Sequence, residues 1–137
     1  TLREMGHGDR LLISDINFPS HSRNARVHRL DGLDMPTVMR SILSVFPLDS
    51  FVPAAVHRME VDNKPDEIND VNKEVIDTIK QVSGDHWTVG SIERQQFYKE
   101  SNKVYAIITT SERRPYCNFI LTKGVLKPDG SVWVLDK

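Results

Sequence analysis

Apolar positions in this chain recur at two periods, and each period names a kind of element. "RLLISDI" (10–16) is a nearly continuous apolar run, the pattern of a strand covered on both faces. "ARVHRL" (25–30) alternates as a half-buried strand does. In "DMPTVMRSILSVFP" the spacing changes to three and four, placing Val38, Ile42, Leu43, Val45 and Phe46 on one helical face. Asp34 is the expected N-cap and Pro36 the first-turn proline, and Pro47 stops the helix. "FVPAAVHRMEV" (51–61) predicts another strand. "KPDEINDVNKEVIDTIKQVSG" sets Ile68, Val71, Val75, Ile79 and Val82 along a second helix, with Lys80 in its last turn and Gly84 as its stop.

Beyond it, "WTVGSIE" (87–93) predicts a strand, "RQQFYKESN" (94–102) a short helical turn, and "VYAIITTSE" (104–112) a buried β-branched strand. "FILTKGVL" and "VWVLD" flank "KPDGS", whose Pro-Asp-Gly makes a hairpin turn. Strands alternating with helices predict an α/β fold: a three-layer α/β/α domain around a central sheet, which the C-terminal β-hairpin makes mixed. One domain over residues 1–137 is expected. "TLREM" has the pattern of the tail of a helix that begins upstream.

Composition narrows the chemistry. With 18 basic and 19 acidic residues the net charge is -1, which argues against a nucleic-acid partner. No apolar run reaches the roughly 20 residues of a membrane helix, and no signal peptide is visible. A single cysteine, Cys117, forms no intramolecular disulfide and suits a reducing, cytoplasmic setting. As a nucleophile it is a weak candidate beside the reading of a small packed residue.

Five histidines raise the question of a metal, for which His7, Asp9 and His57 or His21 are the candidate ligands. Their spacing matches no established site type, so no metal is expected. Neither a GxGxxG turn after a strand nor a Walker loop is present, so no nucleotide cofactor is expected either. His7 stands apart because Gly6 and Gly8 flank it in "MGHGDRLLISD", leaving the imidazole open to approach. Such a group suits general acid–base work. The alternative is a loop histidine after a helix stop. Asp15, at a strand end, is a ligand-binding position in α/β sheets or a plain turn-former. Tyr116 and Asn118, one residue apart in "PYCN", point the same way if extended and suit sugar hydroxyls. His28 and His86 carry no motif.

Together "EMGHGDRLLISDINFPSHS", "RLDGLDMPTVMRSIL", "PLDSFVPAAV", "QFYKESNKVYAIITTSE" and "PYCNFILTKGV" resemble the D-ribose pyranase/fucose mutarotase family over nearly the whole chain. The resemblance implies a cofactor-independent interconversion of sugar anomers. It also implies an α/β fold that assembles into homo-oligomers, commonly decamers. The family's general-acid histidine falls on His7 and the tyrosine of its "FYE" motif on Tyr98; its substrate-binding residues fall on Asp15, Tyr116 and Asn118. Asp49 in "PLDS" matches an aspartate of animal relatives, and His57 stands at a substrate-lining methionine. The chain departs from the family pattern at His57, at "YCN" and at "TSE". "FY" at 97–98 fits the fucose branch rather than the ribose branch. Two other readings remain: a non-catalytic sugar-binding or regulatory subunit, and a metal-dependent hydrolase or isomerase on His7, Asp9 and His57.

His7 and Asp15 flank a strand on the order of 15 Å long, too far for one hexose to bridge comfortably. Either the flanking loops fold together within one chain, or Tyr116 and Asn118 complete a pocket around His7 of an adjacent chain.

Overall fold

The computed structural model describes residues 1–135. Six strands form one sheet in the order β2 (Val27–Leu30), β5 (Ala106–Thr110), β1 (Arg10–Ser14), β6 (Phe119–Thr122), β3 (Val56–Met59) and β4 (Val89–Ile92). β2, β5 and β1 run parallel, as do β3 and β4, while β6 is antiparallel to both β1 and β3. The mixed sheet is therefore the work of β6 alone. The expected hairpin does turn, with the Gly130 amide on the Lys127 carbonyl and the Lys127 amide on the Ser131 carbonyl. Its arms meet only in the isolated bridge Leu126 to Val132, outside the sheet's ladder. Of the predicted arm "VWVLD", Asp136 lies outside the described residues.

Successive β1 side chains explain the three layers. Leu11 and Ile13 pack with α1 (Met35–Leu43) and α2 (Asp70–Ser83), while Leu12, between them, packs with Phe97 of α3 (Arg94–Ser101) on the opposite face. All three β1 residues are fully buried, as a strand with helices on both sides requires.

The helices start where polar caps permit. Asp34 accepts the Thr37 amide and Asn69 accepts the Asn72 amide. α2 thus begins later than its apolar spacing predicts, leaving Ile68 outside and half-exposed. It ends at Gly84, whose φ of 104° favours glycine. α1 likewise ends before Val45, which is exposed, whereas Phe46 is buried. β2 is more exposed than its alternation implies, because it is an edge strand. β3 is shorter than predicted, beginning only after Pro53, whose ring supplies no ladder N–H. At the N-terminus, residues 2–4 form a turn rather than helix.

Candidate active site

β1 carries a polar group at each end, and the two ends differ in kind. At its carboxyl end Asp15 is buried, and its carboxylate accepts the amides of Asn17 (3.1 Å), Phe18 (3.0 Å) and Cys117 (3.1 Å) and the Asn118 side-chain amide (3.3 Å). The Asn118 Oδ1 in turn accepts the Asp15 amide at 2.8 Å. Burial raises the Asp15 pKa above the ordinary carboxylate value, and the Cys117, Asn17 and Phe18 amides pull against it. This knot ties the loop after β1 to the start of β6.

The loop bearing Tyr116 and Asn118 is held from behind. The Arg114 guanidinium forks onto the buried Glu112 at 3.0 and 2.9 Å, and reaches Glu74 on α2. Tyr116 adopts φ 56°, a left-handed conformation rare for a tyrosine, and its hydroxyl donates to Asp62 at 2.7 Å. That bond raises the phenol's pKa. Tyr98 on α3 packs at a tilt against Phe18, with the guanidinium groups of Arg23 and Arg94 over its ring at 5.1 and 5.7 Å. Asp15, Tyr98, Tyr116 and Asn118 together line a cavity of about 460 Å³ that also takes in Asn17, Met59, Asp62, Asn63 and Arg94. Arg94 was legible in principle, since it lies one helical turn before Tyr98 on the same face. Asp62 and Asn63 carry no motif; both have positive φ, and they line the cavity with Asp62 bonded to the Tyr116 hydroxyl.

At the amino end of β1 the "GHGD" loop is pinned rather than loose. The Gly8 amide donates to the Lys123 carbonyl at 2.9 Å, Asp9 Oδ2 accepts the Gly6 amide at 2.8 Å, and the Lys123 ammonium holds the Leu2 and Met5 carbonyls. Gly8 has φ 87°, so the turn requires glycine there. The His7 Nε2 lies 3.0 Å from Asp49 Oδ1. A carboxylate only accepts, so a bond to neutral imidazole puts the proton on Nε2 and leaves Nδ1 the unprotonated nitrogen.

Asp49, expected among the sugar-binding groups, does not line the cavity that takes in Asp15, Tyr98, Tyr116 and Asn118. It is 2% exposed, and Oδ1 also takes the Phe51 amide at 3.1 Å. His57 is not brought to either cluster. It lies on β3 opposite Ile120, on the α3 face and packed against Gly90, and burial and then Arg10 lower its pKa. Among the described residues no group of His, Cys, Asp and Glu is arranged to hold a metal ion. Cys117 is fully buried, and burial pushes its thiol up, away from the thiolate a nucleophile needs. No helix of the described residues is long and apolar enough to cross a membrane.

An α/β domain whose strand ends enclose hydroxyl, amide, carboxylate and guanidinium groups is of the class built to hold a small polar ligand. A family model described as the RbsD / FucU transport protein family matches residues 1–126, and the chain belongs to that family. L-fucose mutarotase of Actinobacillus pleuropneumoniae serotype 5b is 37% identical, over 90% of this chain and 86% of that protein. The crystal structure of the fucose mutarotase from Streptococcus pneumoniae in complex with L-fucose superposes with a TM-score of 0.84 at 38% identity, covering 92% of this chain and 89% of that one. FucU from Bifidobacterium longum gives 0.82 at 37%, covering 92% and 90%.

Proposed function

We propose that this protein is a cofactor-independent mutarotase that interconverts the α and β anomers of L-fucose or a closely related monosaccharide. The carrying observation is the cavity lined by Asp15, Tyr98, Tyr116 and Asn118, in a chain whose relatives are named L-fucose mutarotase. Ring opening needs a base for the anomeric hydroxyl proton and an acid for the ring oxygen; reclosure on the other carbonyl face reverses both transfers. His7 is the proton donor, giving its Nδ1 proton as the imidazolium and keeping the Nε2 proton on Asp49, which sets the tautomer of the neutral ring left behind. Tyr98 and Tyr116 position or relay protons. Asp15 and Asn118 form the cavity floor, with acceptors already committed to each other and to backbone amides. Sugar hydroxyls are met by the tyrosines, Asn17 and Arg94.

The separation of His7 from the cavity along β1 supports assembly. We take the working unit to be a cytoplasmic homo-oligomer, a decamer as in the family pattern, in which the cavity of one chain faces His7 of its neighbour.

Saturation-transfer NMR with catalytic protein on fucose, ribose, galactose and rhamnose tests the reaction and its substrate. Fucose exchange is expected to lead, and His7→Ala to abolish the acceleration with the fold intact. Unchanged exchange in that variant refutes the assignment. Mixed oligomers of His7→Ala with Asn118→Ala, each inactive alone, should regain activity if the site is shared. Mixed oligomers verified by mass spectrometry yet fully inactive would refute sharing.

A further inference from the structure

Residues 127–135 follow the end of the family match at residue 126, and they fold back onto the segment that carries Asp49. The geometry points to Ser50, Phe51 and Trp133 as positioning residues for the His7–Asp49 pair, with the chain from Gly124 to Leu135 as their brace.

The brace begins at a close approach. A β-carbon on Gly124 would lie 2.4 Å from the Leu48 carbonyl oxygen, so only glycine lets the two backbones pass at this distance; the Gly124 amide donates to the Pro47 carbonyl at 2.8 Å. The chain then turns through Pro128 and Asp129 and returns, with the Trp133 amide on the Val125 carbonyl at 2.7 Å. There it grips Ser50. The Ser50 hydroxyl donates to the Trp133 carbonyl at 2.9 Å and accepts the Leu135 amide at 3.0 Å, so both of its roles are used by this one segment. Ser50 is the residue next to Asp49, whose own amide is held by the Thr122 carbonyl at 3.1 Å. The carboxylate that pairs with His7 is thereby fixed on both sides.

An aromatic relay completes the arrangement. The Trp133 ring meets Phe51 edge-on at 6.5 Å, and Phe51 meets the His7 ring edge-on at 4.9 Å. Phe51 and Trp133 are 48% and 42% exposed, so neither is packed as a core residue. His7 is itself 44% exposed and its one side-chain hydrogen bond, to Asp49, leaves the ring free to tilt. A ring against its flank removes that freedom, and small losses of alignment are costly in proton transfer.

The kinetic part rests on the mutarotase reading; the spectroscopic part does not. In protein carrying 13C-labelled histidine rings, the His7 signals, assigned by their loss in His7→Ala, carry the ring-current shift of Phe51. Trp133→Ala and Ser50→Ala should each move the His7 signals while those of His21 and His57 stay in place. In fucose exchange each should lower kcat by about three- to tenfold with KM within about twofold. Trp133→Phe should restore both. Unmoved His7 signals in both alanine variants overturn the proposal whatever happens to kcat, and so does displacement of all the histidine signals alike. A wild-type protein that exchanges no sugar overturns the mutarotase reading alone, with the histidine signals still deciding this one.

Discussion

Asp15→Asn changes one atom's chemistry at the centre of the cavity floor and keeps its shape. The carboxylate accepts from four donors, two on each oxygen. An amide offers one acceptor oxygen and one NH2, so two buried donors must face another donor. Rotating the neighbouring Asn118 amide gives no relief, because its oxygen already accepts the Asp15 amide at 2.8 Å. Each stranded donor costs about 1–3 kcal/mol, about 2–6 kcal/mol for the pair. Burial of the charge, which raises the Asp15 pKa, is relieved by the neutral amide and moves the net cost toward the lower end, about 2–3 kcal/mol. That is a large share of the roughly 5–15 kcal/mol of an ordinary domain and lowers Tm by roughly 6–12 °C. Urea unfolding and calorimetry at pH 7 measure it. The paired change Asp15→Asn with Asn118→Asp turns the contact around, donor on one side and acceptor on the other, and should recover about 1 kcal/mol. A single variant within about 2 °C of wild type would refute the reasoning.

Gly124→Ala drives a β-carbon against the Leu48 backbone and should cost about 1–3 kcal/mol or more by urea denaturation. NMR titration should place the Asp15 carboxyl above the ordinary 3.8. The folded state then binds this proton more readily than the unfolded one, so the Asp15 contribution to stability is largest below the unfolded value and declines as pH rises through the raised one; an Asp15 midpoint at or below 3.8 would contradict this. Asp62→Ala removes the acceptor of the Tyr116 hydroxyl, and the phenol should titrate at lower pH than in wild type, followed through its ring carbons. Asp49→Asn leaves the imidazole present with its tautomer no longer set, and should slow fucose exchange at least about tenfold, about 1.4 kcal/mol of barrier, without loss of fold by circular dichroism.

Periodicity carried the elements because burial of a face is a local pattern. Leu11, Leu12 and Ile13 in unbroken succession announce a strand covered twice over, and Val71, Val75 and Ile79 announce a helix covered once. Asp34, Pro36 and Gly84 mark helix ends through bonds that span only three or four residues. The candidate residues were legible for a different reason: His7, Asp15, Tyr98, Tyr116 and Asn118 sit in short motifs shared with a family, and motifs record chemistry without recording distance.

Distance belongs to the tertiary structure. Strand order, the antiparallel insertion of β6 between β1 and β3, and the failure of the second arm of the C-terminal hairpin to join the sheet depend on which edges meet across many tens of residues, and no local period encodes that. The same long-range contacts put Asp49 on His7, leave His57 on the α3 face outside both clusters, and place Asp62 on the Tyr116 hydroxyl. A side chain's type is written in the chain at one position. Its partner is chosen only when the burial of the whole sheet brings distant segments together, because the free energy that selects the arrangement comes from the shared core and not from any one segment.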